Sequence, residues 1–138
     1  MARLLLALVL SIFFSISSRA DDATGIARDI IESQINAFLL DDAGSAYSFA
    51  SPGIKSMYPD PNRFMEMVRS RYSAIYRPGH IEFGGSSVGS DESTIIQELL
   101  ITGRDGKVWQ AIYMLQRQED GSYRISGVQM RLTDDREI

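Results

Sequence analysis

The stretch that most constrains this chain runs from Ser93 to Leu132, STIIQELLITGRDGKVWQAIYMLQRQEDGSYRISGVQMRL. Three runs rich in Ile, Leu, Val, Tyr and Trp are separated by Asp105-Gly106 and Asp120-Gly121. Such runs broken by Asp-Gly are the pattern of an antiparallel meander, because Gly takes φ > 0 at little steric cost. The predicted strands are Ser93–Thr102, Lys107–Arg117 and Ser122–Leu132. A sheet with an apolar face needs a second layer over it. The residues before Ser93 must provide that layer.

They carry helical signals. Ile26, Ile30, Ile31, Ile35, Phe38 and Leu39 recur as one apolar face, with Asp29, Glu32, Gln34 and Asn36 on the other side. Asp21, Asp22 or Thr24 could cap this helix, which should stop near Leu40–Gly44. Asp41 or Asp42 could cap a second, short helix through about Ala50, ended by Pro52. Residues 51–61 read as an irregular connection, in which Ile54, Met57 and Tyr58 could cover an edge or the mouth of a cavity. Asp60-Pro61 is a helix start, and a third helix is predicted from Pro61 to Ile75. His80–Phe83 is a possible first strand, and GGSSVGSDES reads as a flexible bend. That glycine-rich run lacks the Lys-Ser/Thr ending of a phosphate loop. Helices followed by a run of strands imply an α+β domain.

The first twenty residues differ in kind. Arg3 precedes the apolar run Leu4–Ile16, and Ser18-Arg19-Ala20 places small residues for cleavage before Asp21. The expected organisation is a signal peptide at 1–20 and one domain at 21–138, in the periplasm or secreted. A retained anchor is the alternative; no transmembrane segment is expected after cleavage. Cleavage at that point would leave a mature charge of −6, a poor basis for nucleic-acid binding. The chain has no cysteine and a single histidine, so neither a disulfide framework nor an internal multi-histidine zinc site is available. No cofactor or metal site is expected from the motifs.

Pairing the strands from two-residue tips sorts the side chains into faces. One face would hold Ile96, Leu100, Trp109, Tyr113, Leu115, Val128, Met130 and Leu132, with Glu98 as its charged exception. The other would hold Ile95, Leu99, Ile101, Val108, Ile112, Met114 and Ile125 with Gln97, Gln110, Gln129 and Arg131. The first suits burial under helices. The second is too apolar for solvent and suggests a sheet-to-sheet homodimer. A slip of one residue would invert one strand's set.

Four residues are candidates for acid–base chemistry. Glu98 would have a raised pKa if enclosed beside Trp109 and Tyr113, although pairing at a strand edge is the simpler reading. His80 can transfer protons near neutral pH but has no identifiable partner. Asp41 and Asp42 could face a cavity, yet adjacent acids after an apolar helix usually serve its end. Tyr47, Tyr58, Tyr72, Trp109 and Tyr113 are candidates to line a ligand pocket. Arg63, Arg69, Arg71 and Arg77 could attract an anion, with a charged helix face as the simpler account.

The order of helices and then a long meander resembles the nuclear-transport-factor-2-like fold. More narrowly, IARDIIESQINAFLLDDAGSAYSFASPGIKSMY, PNRFMEMVRSRYSAIYRP and WQAIYMLQRQEDGSYRISGVQM resemble the bacterial DUF4864 family. The resemblance implies a cone-like domain with three N-terminal helices packed on a curved antiparallel sheet. It transfers no catalytic residue: neither the Tyr/Asp set of ketosteroid isomerases nor the Asp-Arg-Asp set of epoxide hydrolases is matched. The expected role is an exported, non-enzymatic binding or interaction protein, homodimeric or bound to another envelope protein. The alternatives are an isomerase or hydrolase using a cavity acid, and a passive carrier of a small apolar ligand.

Overall fold

The structure, a computed structural model, describes residues 19–133. The expected signal peptide lies almost wholly outside the described residues, as does the polar tail after 133. Among the described residues the architecture is α+β. It has helices α1 (Arg19–Leu39), α2 (Ala43–Ser48), α3 (Pro52–Met57), α4 (Pro61–Arg71) and α5 (Ser73–Tyr76), then strands β1 (Pro78–Val88), β2 (Thr94–Gly103), β3 (Val108–Arg117) and β4 (Tyr123–Leu132). The strands form one open antiparallel sheet in sequence order. No described helix is long and apolar enough to cross a membrane.

There are five helices where three were expected. Helix α1 starts by Arg19, so Asp22 and Thr24 lie inside it rather than at its cap. Its buried stripe runs through Ala23, Ala27, Ile31, Gln34, Ile35 and Phe38, while Ile26 and Leu39 are exposed. Pro52 both ends one element and starts the next: Ser51 accepts from the Ile54 N–H at 3.4 Å, with Pro52 in the first turn of α3. The stretch expected to be irregular is therefore helical. Helix α4 begins as expected, with Asp60 accepting from the Asn62 N–H at 2.7 Å. The chain then breaks at Tyr72 instead of running on to Ile75. In the short helix α5 that follows, Ala74, Ile75 and Tyr76 are all buried.

The hairpins explain why one strand was misplaced. In the first, Gly103 exchanges hydrogen bonds with Lys107 and Gly106 while Gly106 sits at φ 81°. The loop is therefore the three residues 104–106, a turn closed by a left-handed glycine, rather than a two-residue tip. That shifts the β2–β3 register by one: Ile101 pairs with Trp109, Leu99 with Ala111 and Gln97 with Tyr113. The second hairpin closes in the same way at Gly121, φ 84°. There an irregularity between Met114 and Leu115 restores the expected pairings of Trp109 with Leu132, Ala111 with Met130 and Tyr113 with Val128. Below the irregularity Leu115 pairs with Ile125.

The helix-covered face is thus Ile95, Gln97, Leu99 and Ile101 on β2, with Ala111, Tyr113, Leu115 and Ile125 beyond. Each of these is 2% exposed or less. Ile96, Glu98 and Leu100 face the other way, against expectation, and Leu100 is 42% exposed. Strand β1 is also longer than expected. Gly84–Ser87 belong to it through a register shift between Phe83 and Ser86, held from below by Gln97.

Candidate functional site

Between the helices and the β3–β4 end of the sheet lies a recess of about 200 Å³, open on one side. Helix α1 contributes Gln34 and Phe38; α3 and the residue after it contribute Ile54, Met57 and Tyr58. Helix α4 contributes Phe64, Met67, Val68 and Arg71, followed by Tyr72 and Ile75. The sheet wall is Tyr113 with Ile125–Val128. The walls are mainly apolar, with a few polar groups among them, the usual make-up of a small-molecule pocket. The size suits a compact guest: a dry cavity of about 150 Å³ holds one benzene ring.

The polar groups are placed unequally. Tyr113 is fully buried and its hydroxyl has no hydrogen-bond partner among the described residues. An unsatisfied buried donor costs about 1–3 kcal/mol, and Gln97 Oε1 is the other unpartnered buried side-chain atom among the described residues. Burial, with a smaller contribution from the neighbouring Tyr72, pushes the Tyr113 phenol well above its ordinary value. It is a neutral donor throughout the working pH range. Tyr72 spends its own hydroxyl on the Val128 carbonyl at 3.4 Å. Gln34, expected on the polar side of α1, is buried and donates to the Ala46 carbonyl at 3.1 Å. Arg71 is exposed at the rim.

Gln97 stands beside Tyr113 on the neighbouring strand and is also fully buried. Its Nε2 donates to the carbonyls of Gly84 (3.2 Å), Gly85 (3.3 Å) and Glu98 (2.8 Å). Three acceptors fix the amide orientation, since a flip would set its oxygen against three carbonyl oxygens. Gln97 Oε1 is left without a partner. Its alternation with Glu98 along β2 was visible in the sequence; the turn length that decides which of the two points inward was not.

The acid–base candidates lie elsewhere. Glu98 is on the outer face, opposite Ile112, and not beside Trp109 and Tyr113 as the two-residue tip implied. His80 is exposed on β1 opposite Thr102, on that same outer face. Asp41 closes the end of α1 at φ 51°. It accepts from the Tyr76 hydroxyl and pairs with Arg77 at 2.8 Å, and these two contacts hold its carboxyl below the ordinary range. Arg77 also donates to the Phe38 carbonyl at 2.6 Å and stacks on Tyr76 at 4.0 Å. Asp42 caps α2, where Ser45 lowers its pKa through a side-chain bond and a backbone bond. None of these four lines the recess.

Of the aromatic candidates, Tyr58, Tyr72 and Tyr113 are brought together in the recess; Tyr47 and Trp109 are not. Tyr47 donates to the Tyr58 carbonyl at 2.6 Å and packs against Phe64 at 5.6 Å, so it supports the wall from behind. No histidine or carboxylate lines the recess among the described residues. No group of three potential metal ligands forms among them either.

A family model described as "Domain of unknown function (DUF4864)" matches residues 19–138. Comparison with curated proteins and with solved structures gave no match.

Proposed function

The chain belongs to the DUF4864 family, whose description names no activity, and we propose from the geometry that it is a binding protein for a small, mainly apolar molecule. The observation that carries this reading is the recess itself, walled mainly by apolar side chains that include Phe38, Phe64, Val68 and Ile125. The absence of an acid–base pair from the described lining favours holding a molecule over converting it. Methyl NMR of Met57 and Met67 during titration with single-ring aromatic probes tests the reading. Shifts at both methyls, lost when Ile54→Trp fills the mouth, are expected. Shifts confined to other methyls would sink it.

The same proposal includes the cone-like nuclear-transport-factor-2-like arrangement, supported by helices over one face of an open antiparallel sheet and by the bends in β1 and β4. It also includes export, supported by the pattern of residues 1–20 and by a family match that begins at residue 19. Intact-mass measurement of protein from the cell envelope should give a chain beginning at Asp21.

Assembly of two copies through the outer sheet face is the second reading. Leu100 and Met114 are 42% and 41% exposed on adjacent strands of that face. Glu82 and Glu98 lie toward β1, and Arg124 and Arg131 toward β4. A twofold axis along the strands would lay the acidic side of one copy over the basic side of the other. A mass of one chain by light scattering at high micromolar concentration would refute it.

A further inference from the structure

The recess holds one permanent charge. Arg71 is the only lining residue with an ionised side chain at neutral pH among those described. It makes no ion pair or hydrogen bond through its guanidinium among the described residues. The neighbouring cations are occupied differently: Arg77 binds Asp41, and Arg69 lies over the Tyr76 ring at 5.4 Å. Position at the last turn of α4 suits any of these cations to the helix dipole. That explains why a cation is tolerated there, but Arg69 satisfies it equally well while facing away from the recess. The chain as a whole carries a net charge of −4, yet no carboxylate stands in the described lining to repel an anion.

We propose that the recess takes a compact apolar carboxylate, its hydrophobic body against Phe38, Phe64 and Val68 and its anionic head at Arg71. This rests on the binding reading above and adds the chemical class of the guest. The volume of about 200 Å³ sets the scale of that guest: one ring or a short branched chain, not a long acyl tail. Arginine suits the role because its planar fork can bind a carboxylate through two parallel hydrogen bonds. The head stays partly in water at the rim, so charge contributes selectivity while the apolar body contributes most of the affinity.

Benzoate, benzamide and toluene share one ring and differ in charge and polarity, and the full chain can be titrated with each at pH 7. Binding is read by calorimetry and by the Met67 methyl shift. Benzoate is expected to bind about fivefold more tightly than benzamide, the scale of a rim ion pair. Arg71→Met keeps an apolar stem and should bring the two within about twofold of each other. Arg69→Met should leave the preference intact, which separates contact at the mouth from general surface charge. Equal binding of benzoate and benzamide to the unaltered chain overturns the carboxylate assignment and leaves the binding reading standing. Equal losses in both arginine variants also overturn it. If none of the three probes moves the Met67 methyl, the binding reading itself falls, and the assignment with it.

Discussion

Replacing Tyr113 by Phe should stabilise the protein. The hydroxyl is fully buried and unpartnered among the described residues. Leaving such a donor unsatisfied costs about 1–3 kcal/mol, and Phe removes it with little change of shape. Part of the gain is offset by the small void left behind, about 24 cal/mol per Å³. A net stabilisation of about 1 kcal/mol is expected, a rise in midpoint temperature of roughly 3–5 °C for a chain of this size. Thermal unfolding followed by circular dichroism at pH 7 measures it. Alkaline pH supplies an independent check. Burial raises the Tyr113 phenol above its ordinary value of 10.0, so the folded chain keeps a proton that the unfolded chain releases. That contribution is intact below pH 10 and is lost as pH rises beyond it, by up to about 1.4 kcal/mol per pH unit. The Phe variant should lose less stability than the parent over that window. A variant less stable than the parent by about 1 kcal/mol or more at pH 7 would refute the reasoning, because it would mean the hydroxyl is already satisfied.

Gln97→Glu puts a carboxylate against three carbonyl oxygens in a fully buried position and should cost about 3–5 kcal/mol in urea unfolding. Hydrogen exchange at Gly84–Ser87 should accelerate with it; unchanged exchange would separate the bulge from the amide. Glu98→Gln, on the outer face, should change stability by less than about 0.5 kcal/mol and leave probe binding unaltered. Gly106→Ala forces a Cβ into the left-handed region at φ 81° and should cost about 1–2 kcal/mol. Asp41→Asn keeps a residue that tolerates φ 51° but loses the Tyr76 and Arg77 partnership. The Asp41 contribution is present above the ordinary carboxyl value of 3.8 and is lost as pH falls through the lower folded value. The variant should be less stable than the parent at pH 7, and the difference should close as the pH drops below that value.

What could be read from the chain, and what could not, follows from how each signal acts. The meander, its two Asp-Gly closures and the Asp60-Pro61 start are local, and local chemistry determines them. Ser51-Pro52 is equally local, but it carries two meanings, ending one helix and capping the next, and the sequence pattern does not choose between them. The recess is harder to see because its walls come from segments far apart in sequence. It also depends on the break at Tyr72, which no proline or glycine announces. Register is the sharpest case. Both hairpins close with three-residue loops, but only the second carries a compensating irregularity, so β2 turns over along its length and β4 only below that irregularity, at Ile125. Ile95, Leu99, Ile101 and Ile125, which had made the outer face look like an assembly surface, are core residues. Leu100, Met114 and the charge pattern are what the outer face still offers a second copy. The same single residue of loop length has a chemical consequence. It turns the neutral amide of Gln97, rather than the carboxylate of Glu98, toward the core beside Tyr113. Had the tip been two residues long, an acid would stand next to that phenol and proton transfer would be the natural reading. With an amide there, the neighbouring pair in the core is a neutral amide and a phenol that burial keeps protonated.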